Sequence, residues 1–245
     1  MKFVRGICLA LVFLSNSVWS QSSDEVDWKI TPYLWLVNLD GGLSVGPIEQ
    51  DIDASFSDLV EHLDFAGEVY AEVGKGNHAL HVDYTYMRLK PDPTALESPP
   101  FPPNAELATK MTINLLETAY QYRWKGPQGP ALVLGARLTD MDIRLTPTNL
   151  PSVNTGPSWW DYFAGIKTYN IISPKWDFSF YGTIGTGGSD LPWTTQVTFG
   201  RRYANDNRLM LGARAWGIDY EGTDRNVSTN LDLTYYGLMV GYEFN

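Results

Sequence analysis

Cysteine, histidine, basic charge and long apolar runs are all scarce in this chain, and each shortage removes a class of function. The single cysteine, Cys8, lies in an N-terminal apolar stretch expected to be cleaved. The remaining chain then has no thiol for nucleophilic catalysis, a disulfide or a thiolate metal site. Three histidines, His62, His78 and His81, leave few imidazoles for acid–base work. Past residue 20 no segment approaches the roughly 18 consecutive apolar residues of a membrane helix. With 18 basic against 28 acidic side chains the net charge is −10, which argues against nucleic acid as a partner. There is no Gly-rich phosphate loop, solenoid-type repeat or peptidoglycan-binding domain.

The N-terminus supplies a compartment. Lys2 and Arg5 form a charged region, residues 6–14 an apolar one, and Val18-Trp19-Ser20 a cleavage site before Gln21. Residues 1–20 are therefore expected to be a Sec signal peptide and 21–245 the mature domain. Cys8 precedes any full apolar region and so does not fit a lipoprotein cleavage site. The mature chain keeps 16 basic and 28 acidic side chains, a net charge of −12. Such acidity is compatible with divalent cations at a lipopolysaccharide surface.

The mature sequence reads as short alternating segments divided by turn residues, with no helical stretch beyond about two turns. Strands are expected at 28–38, 43–54, 65–74, 79–89, 108–124, 131–145, 159–172, 176–187, 193–203, 208–220 and 231–244. Most reach the roughly 9–11 residues that a tilted strand needs to cross hydrocarbon. In residues 236–244, Tyr236, Leu238, Val240, Tyr242 and Phe244 share one face, opposite Gly237, Met239, Gly241 and Glu243. A soluble edge strand so patterned would aggregate, whereas a barrel strand in lipid requires the pattern. Tight turns at 74–77, 125–129, 173–175 and 204–207 alternate with longer connections at 90–107, 146–158, 188–192 and 221–230. The first of these, rich in proline, is expected to be an extended arm or disordered rather than sheet. The expected fold is an all-β, antiparallel up-and-down transmembrane β-barrel of 10–12 strands with one short helix before the third strand. Eleven segments violate the even parity of single-chain bacterial barrels, and the weak point lies before Phe65. There, helical spacing over 56–63 with a Ser55 cap suggests a helix that either plugs the lumen or lies in the interface.

Assigning faces gives the candidate lumen. Leu80, Val82, Tyr84 and Tyr86 turn toward lipid, which sends His81 and Asp83 inward. By the same alternation Glu68, Glu72, Lys110, Glu117, Arg137, Asp161, Lys167, Arg214 and Asp232 line the interior. This assignment needs phase slips, read as β-bulges, at Leu115-Leu116 and at Tyr235-Tyr236. Charges of both signs then either pair into a plug or line a narrow aqueous pathway, the plug being favoured at 10 strands and a pore at 12. The aromatics Trp28, Tyr33, Trp35, Trp124, Trp159, Trp160, Trp176, Trp193, Tyr203 and Tyr220 suit interfacial girdles, with carbohydrate stacking as the alternative.

Catalysis has little to draw on. His81-x-Asp83 is an inward pair without an evident serine opposite, and it lies far from the outer leaflet where barrel lipases and proteases act. Asp140-x-Asp142 and Ser189-Asp190 are weak oxygen-ligand pairs. No catalytic residue, metal or cofactor is expected.

The C-terminal strand resembles the signal that outer-membrane barrels present to the barrel assembly machinery, with Asn245 trailing Phe244 as a departure. Thr31-Pro32-Tyr33-Leu34-Trp35, the 55–59 stretch and Gly187-Gly188-Ser189-Asp190-Leu191-Pro192-Trp193 resemble an uncharacterised family of outer-membrane barrel proteins. That resemblance implies a barrel and a Gram-negative outer-membrane location. It brings no reaction, cofactor or ligand. The expected function is a non-enzymatic outer-membrane barrel, a narrow channel for small polar solutes or a structural barrel. The alternatives are a surface adhesion barrel acting through its loops or, further off, a lipid-modifying or proteolytic enzyme. Outer-membrane lipids, lipopolysaccharide and the assembly machinery are the expected partners.

Overall fold

The computed structural model describes residues 26–46, 48–58, 63–90, 92–96, 105–126, 129–149, 151–224 and 226–245. The signal-peptide reading and His62 fall outside them. Thirteen strands form one antiparallel sheet: β1 Val26–Val45, β2 Ile48–Ala54, β3 Leu63–Lys75, β4 His78–Leu89, β5 Thr94–Leu96, β6 Ala105–Arg123, β7 Ala131–Pro147, β8 Val153–Thr155, β9 Ser158–Ser173, β10 Trp176–Gly187, β11 Trp193–Arg202, β12 Arg208–Asp224 and β13 Val227–Glu243. Ten of them close into a ring, β1-β3-β4-β6-β7-β9-β10-β11-β12-β13, with β13 pairing back onto β1 and β6 joining β7. Closure removes every edge in the ring.

The odd strand in the eleven-segment reading is 43–54. Its first residues complete β1, and the rest turn back as β2, which pairs only with the upper part of β1 from Leu39 to Val45. β5 and β8 are similar short returns, onto β6 and β7. The pairing of β5 with Ala105–Leu107 of β6 puts sheet into part of the proline-rich connection, where the sequence predicts none. Most of the 221–230 segment is likewise strand: β12 and β13 stay paired to Asp224 and Val227, and Asn226 takes the left-handed conformation.

Both expected bulges are absent. Leu115 and Leu116 keep unbroken register with β4 and with β7, as do Tyr235 and Tyr236 with β1 and β12. The slip in the pattern has another cause. Toward the tight turns, outward positions are apolar and inward ones polar; toward the loop end, the two faces exchange character without any break in the backbone. On β6 the outward side chains run Tyr122, Tyr120, Thr118 and Leu116, then Asn114, Thr112 and Lys110. On β7 they change from Leu132, Leu134 and Leu138 to Asp140, Asp142 and Arg144, and on β13 from Leu238 and Tyr236 to Thr234, Asp232 and Asn230. Because Leu138 pairs with Leu116 and with Trp160, the change falls at one level across neighbouring strands.

Above that level the interior is an ordinary apolar core. Val37, Leu39, Leu43 and Val45 of β1 meet Met111, Ile113 and Leu115 of β6, Met141, Ile143 and Leu145 of β7, and Leu231 and Leu233 of β13. β8 caps one side, with Thr155 Oγ1 3.0 Å from Thr229 Oγ1 and the Gly156 amide donating to Asp224 Oδ2 at 2.8 Å.

Candidate functional site

The polar interior of the turn-end half is where chemistry could reside. Nine of the candidates face it: Glu68, Glu72, His81, Asp83, Glu117, Arg137, Asp161, Lys167 and Arg214. Lys110 and Asp232 do not. They lie on the outer surface of the loop-end half, because the phase that placed them inside assumed lipid along the whole outer wall.

The inward charges pair in groups, two of which, around Glu117 and Glu72, are joined through His81 and Gln121. Glu117, almost wholly buried, accepts from Arg137 Nε at 3.0 Å and Nη2 at 2.6 Å, and from the Tyr181 hydroxyl at 2.6 Å. Arg137 also donates to Thr194 Oγ1 at 2.7 Å and lies over the rings of Phe163 and Trp216. Glu72 takes Arg123 at 2.5 Å, Lys167 at 2.6 Å and Gln121 at 2.9 Å, and it also accepts from the Tyr70 hydroxyl. Asp83 accepts from Tyr33 at 2.8 Å and Arg214 at 3.0 Å. Glu68 instead satisfies the backbone, since β1 diverges from β3 after Tyr33 and the carboxylate takes the Trp35 amide at 2.6 Å.

One pair, Asp177 and Arg208, escapes the sequence reading. Asp177 holds Arg208 at 2.6 Å, and Arg208 reaches Glu243 at 3.3 Å. A Cβ on Gly200 would overlap Arg208 Nε, so only glycine leaves room for this pair. Strand alternation could have found both, since Asp177 sits between outward Trp176 and Phe178, and Arg208 beside outward Leu209.

His81 is fully engaged, with Nε2 3.3 Å from Glu117 and Nδ1 2.7 Å from Gln121. No serine takes part in that cluster. Asp161 binds the backbone and hydroxyl of Ser189, at 2.8 and 3.0 Å, and the Trp159 indole at 3.0 Å. The Gly-Gly-Ser-Asp stretch thus latches the short β10–β11 connection onto the barrel wall. Asp140 and Asp142 point outward, and no group of three or more potential metal ligands occurs among the described residues.

Below the Glu117 level a cavity of about 70 Å³ remains, lined by Thr31, Tyr70, Lys167, Thr198 and Arg208 among others. That is room for a few waters. Upward it meets the paired charges and then the apolar core. The helical turn at 56–58 does not enter the lumen; the Phe56 amide donates to Asn38 Oδ1 on the outer wall at 2.7 Å. Of the expected girdle aromatics, Trp28, Trp124, Trp160, Trp176, Trp193 and Tyr203 are exposed. Tyr33, Trp35, Trp159 and Tyr220 instead point inside, and Trp159 stacks on Tyr220.

On the loop-end surface, partial burial and then the neighbouring Asp232, Asp190 and Glu221 raise the pKa of Asp219 above the usual carboxylate value. Asp64 is lowered instead, by hydrogen bonds from Lys90 and Arg88.

No protein-family model matches the sequence, and no curated protein does. Solved structures similar in fold include Neisserial surface protein A, at 12% identity and TM-score 0.35 over 90% of this chain and 98% of that one. The transport unit of the autotransporter AIDA-I from Escherichia coli follows at 8% identity and TM-score 0.41, covering 96% and 94%. A Pseudomonas aeruginosa FadL homologue stands at 7% and 0.34, covering 89% of each chain. At identities and scores this low, none of these likenesses assigns a role to any residue here.

Proposed function

We propose that this chain is an integral β-barrel of a Gram-negative outer membrane, closed to solutes and non-enzymatic, that carries a folded β-extension on the cell surface. The exchange of faces along β1, β6, β7, β12 and β13 carries the reading. The outward apolar stretches at 28–36, 116–124 and 236–244 each span nine residues, about 20 Å along the barrel axis at about 3.3 Å per residue and a 40° tilt. Trp28, Trp124 and Phe244 mark their turn ends, and Tyr236 with Trp160, which pairs with Leu138, marks the loop end, the aromatic girdles of an outer-membrane hydrocarbon layer. Beyond that band the outer wall is charged and the interior greasy, the arrangement of a water-exposed β structure. The tight turns and the C-terminal strand then face the periplasm, where the assembly machinery meets that strand. The return strands β2, β5 and β8 face the exterior.

Two observations support closure over conduction: the paired charges across the middle and the apolar core above them. His81 with both ring nitrogens occupied supports a structural role for that histidine. A partner would be met by the charged outer face of the extension, beside lipopolysaccharide, rather than by the lumen.

Conductance across a planar bilayer tests closure: refolded protein is expected to pass no steady current, and a reproducible open level would overturn the reading. Labelling tests the exposed extension. With Cys8 removed with the leader, Asp142→Cys is expected to react with a membrane-impermeant maleimide on intact cells and Leu134→Cys to stay unlabelled.

A further inference from the structure

The arginines of the outer wall differ in what they hold. In the loop-end half Arg88 shares Asp64 with Lys90, at 3.3 and 3.0 Å, and Arg144 donates to Asn154 at 2.8 Å. Arg201 is the one arginine on the outer wall of the turn-end half among the described residues, and it stands opposite Trp176 on β10 and Leu209 on β12. Its guanidinium lies 5.9 Å from the ring centre of Trp176 and 5.7 Å from that of Tyr203, both exposed aromatics of the periplasmic girdle. Among the described residues it makes no hydrogen bond and no ion pair. Two rings therefore hold the charge in place, and the five N–H donors are left without an acceptor. A planar fork of that kind matches the oxygens of a phosphate.

The position of Arg201 decides which phosphate. Tyr242, two residues before Phe244, pairs with Leu209, and Leu209 with Arg201, so the guanidinium stands at the turn-end edge of the apolar band, at headgroup depth. One step deeper in the band, Phe199 and Leu211 face each other, both exposed, as an apolar wall for acyl chains. A second cation lies in the adjoining turn. Lys175 precedes Trp176 and is exposed, and its carbonyl accepts from the Arg202 amide at 2.9 Å, which ties that turn to β11. Arg202 itself turns inward to Asp177. Neither Arg201 nor Lys175 has a carboxylate partner among the described residues, although Asp206 lies in the next turn. Two uncompensated cations favour a headgroup of net negative charge, since nothing there would receive an ammonium.

We propose that Arg201, clamped between Trp176 and Tyr203 and assisted by Lys175, binds the phosphodiester of an anionic phospholipid in the periplasmic leaflet. The proposal rests on the outer-membrane reading above, which turns this end of the barrel to the periplasm. Its test reconstitutes the full mature chain in vesicles of phosphatidylglycerol and phosphatidylethanolamine, extracts it into detergent and identifies retained lipid by native mass spectrometry. Phosphatidylglycerol is expected to be retained in preference to phosphatidylethanolamine. Arg201→Gln is expected to lower that preference about fivefold, the worth of one basic side chain at an anionic surface, and Arg201→Gln with Lys175→Gln to abolish it. Arg201→Lys keeps the charge without the fork and is expected to fall between the unaltered chain and Arg201→Gln. An unchanged preference in Arg201→Gln overturns the site, and Arg201→Lys as poor as Arg201→Gln overturns the role of the charge. Equal retention of phosphatidylethanolamine by the unaltered chain overturns the anionic headgroup. Displacement of the lipid by millimolar inorganic phosphate, with a phosphate adduct in the spectrum, overturns lipid as the occupant in favour of a soluble oxyanion. Failure of the membrane reading is separable: the chain would then not insert into vesicles, as read by protease protection, whatever lipid it carried.

Discussion

Arg137 and Glu117 stand directly opposite one another on β7 and β6, and the guanidinium donates from two nitrogens, at 3.0 and 2.6 Å, to a single carboxylate oxygen. Both side chains are only 2% exposed. Removing one partner strands a buried charge, so Arg137→Ala should cost about 3–5 kcal/mol, whereas a Glu117→Gln/Arg137→Met double variant should recover much of that loss. Urea unfolding in micelles, followed by tryptophan fluorescence, reads the difference. A double variant as unstable as the single would mean that the pair does not govern the site.

The exchange of faces predicts that one substitution has opposite consequences at two heights on β7. Leu134→Arg, in the lipid-facing band, should cost about 2–4 kcal/mol, and Asp142→Arg, on the extension, less than about 0.5 kcal/mol. Comparable costs at the two positions would refute the boundary near Leu138.

The core of the extension should behave like that of a soluble protein. Ile143 and Leu233 are wholly buried there, and truncating either to alanine should cost about 2–5 kcal/mol locally. Limited proteolysis on intact cells should then cleave the extension while the protected barrel band persists on a gel. Unchanged protease resistance would argue that the core is not cooperative.

The surface carboxylates should respond to pH with opposite signs. Asp219 has a raised pKa, from partial burial first and acidic neighbours second. Its charged form therefore opposes folding, and stability should fall as pH rises through the raised value. Asp219→Asn should flatten that slope. Asp64 is held low by Lys90 and Arg88, so its contribution is present above the usual aspartate value and is lost on acidification through the lowered one. NMR titration should show the Asp64 midpoint moving upward in a Lys90→Gln/Arg88→Gln variant.

Much of this architecture was legible in the chain because strands repeat every two residues. Tyr236, Leu238 and Phe244 share a face in the sequence and share the outer wall in the fold. Glu68, Glu72, His81 and Asp83 could be set inside because their immediate neighbours, among them Val73, Leu80 and Val82, are greasy. Lys110 and Asp232 could not be placed this way. Alternation reports only which residues lie on opposite faces; whether the outer face meets lipid or water depends on height along the barrel, and that changes midway up β6 and β13. The same ambiguity made two regular strands read as bulged.

The sequence by itself determined the class, an antiparallel sheet whose turn-end half is apolar outside and charged within, since that follows from local periodicity and turn chemistry. Strand number, the partner of each charge and the closed interior were decided only by tertiary structure. Residues 48–54 fold back onto β1 instead of joining the ring, and Glu117 meets Tyr181, 64 positions away, only after the sheet has closed. Pairing across a barrel depends on shear and register, and no local pattern encodes either.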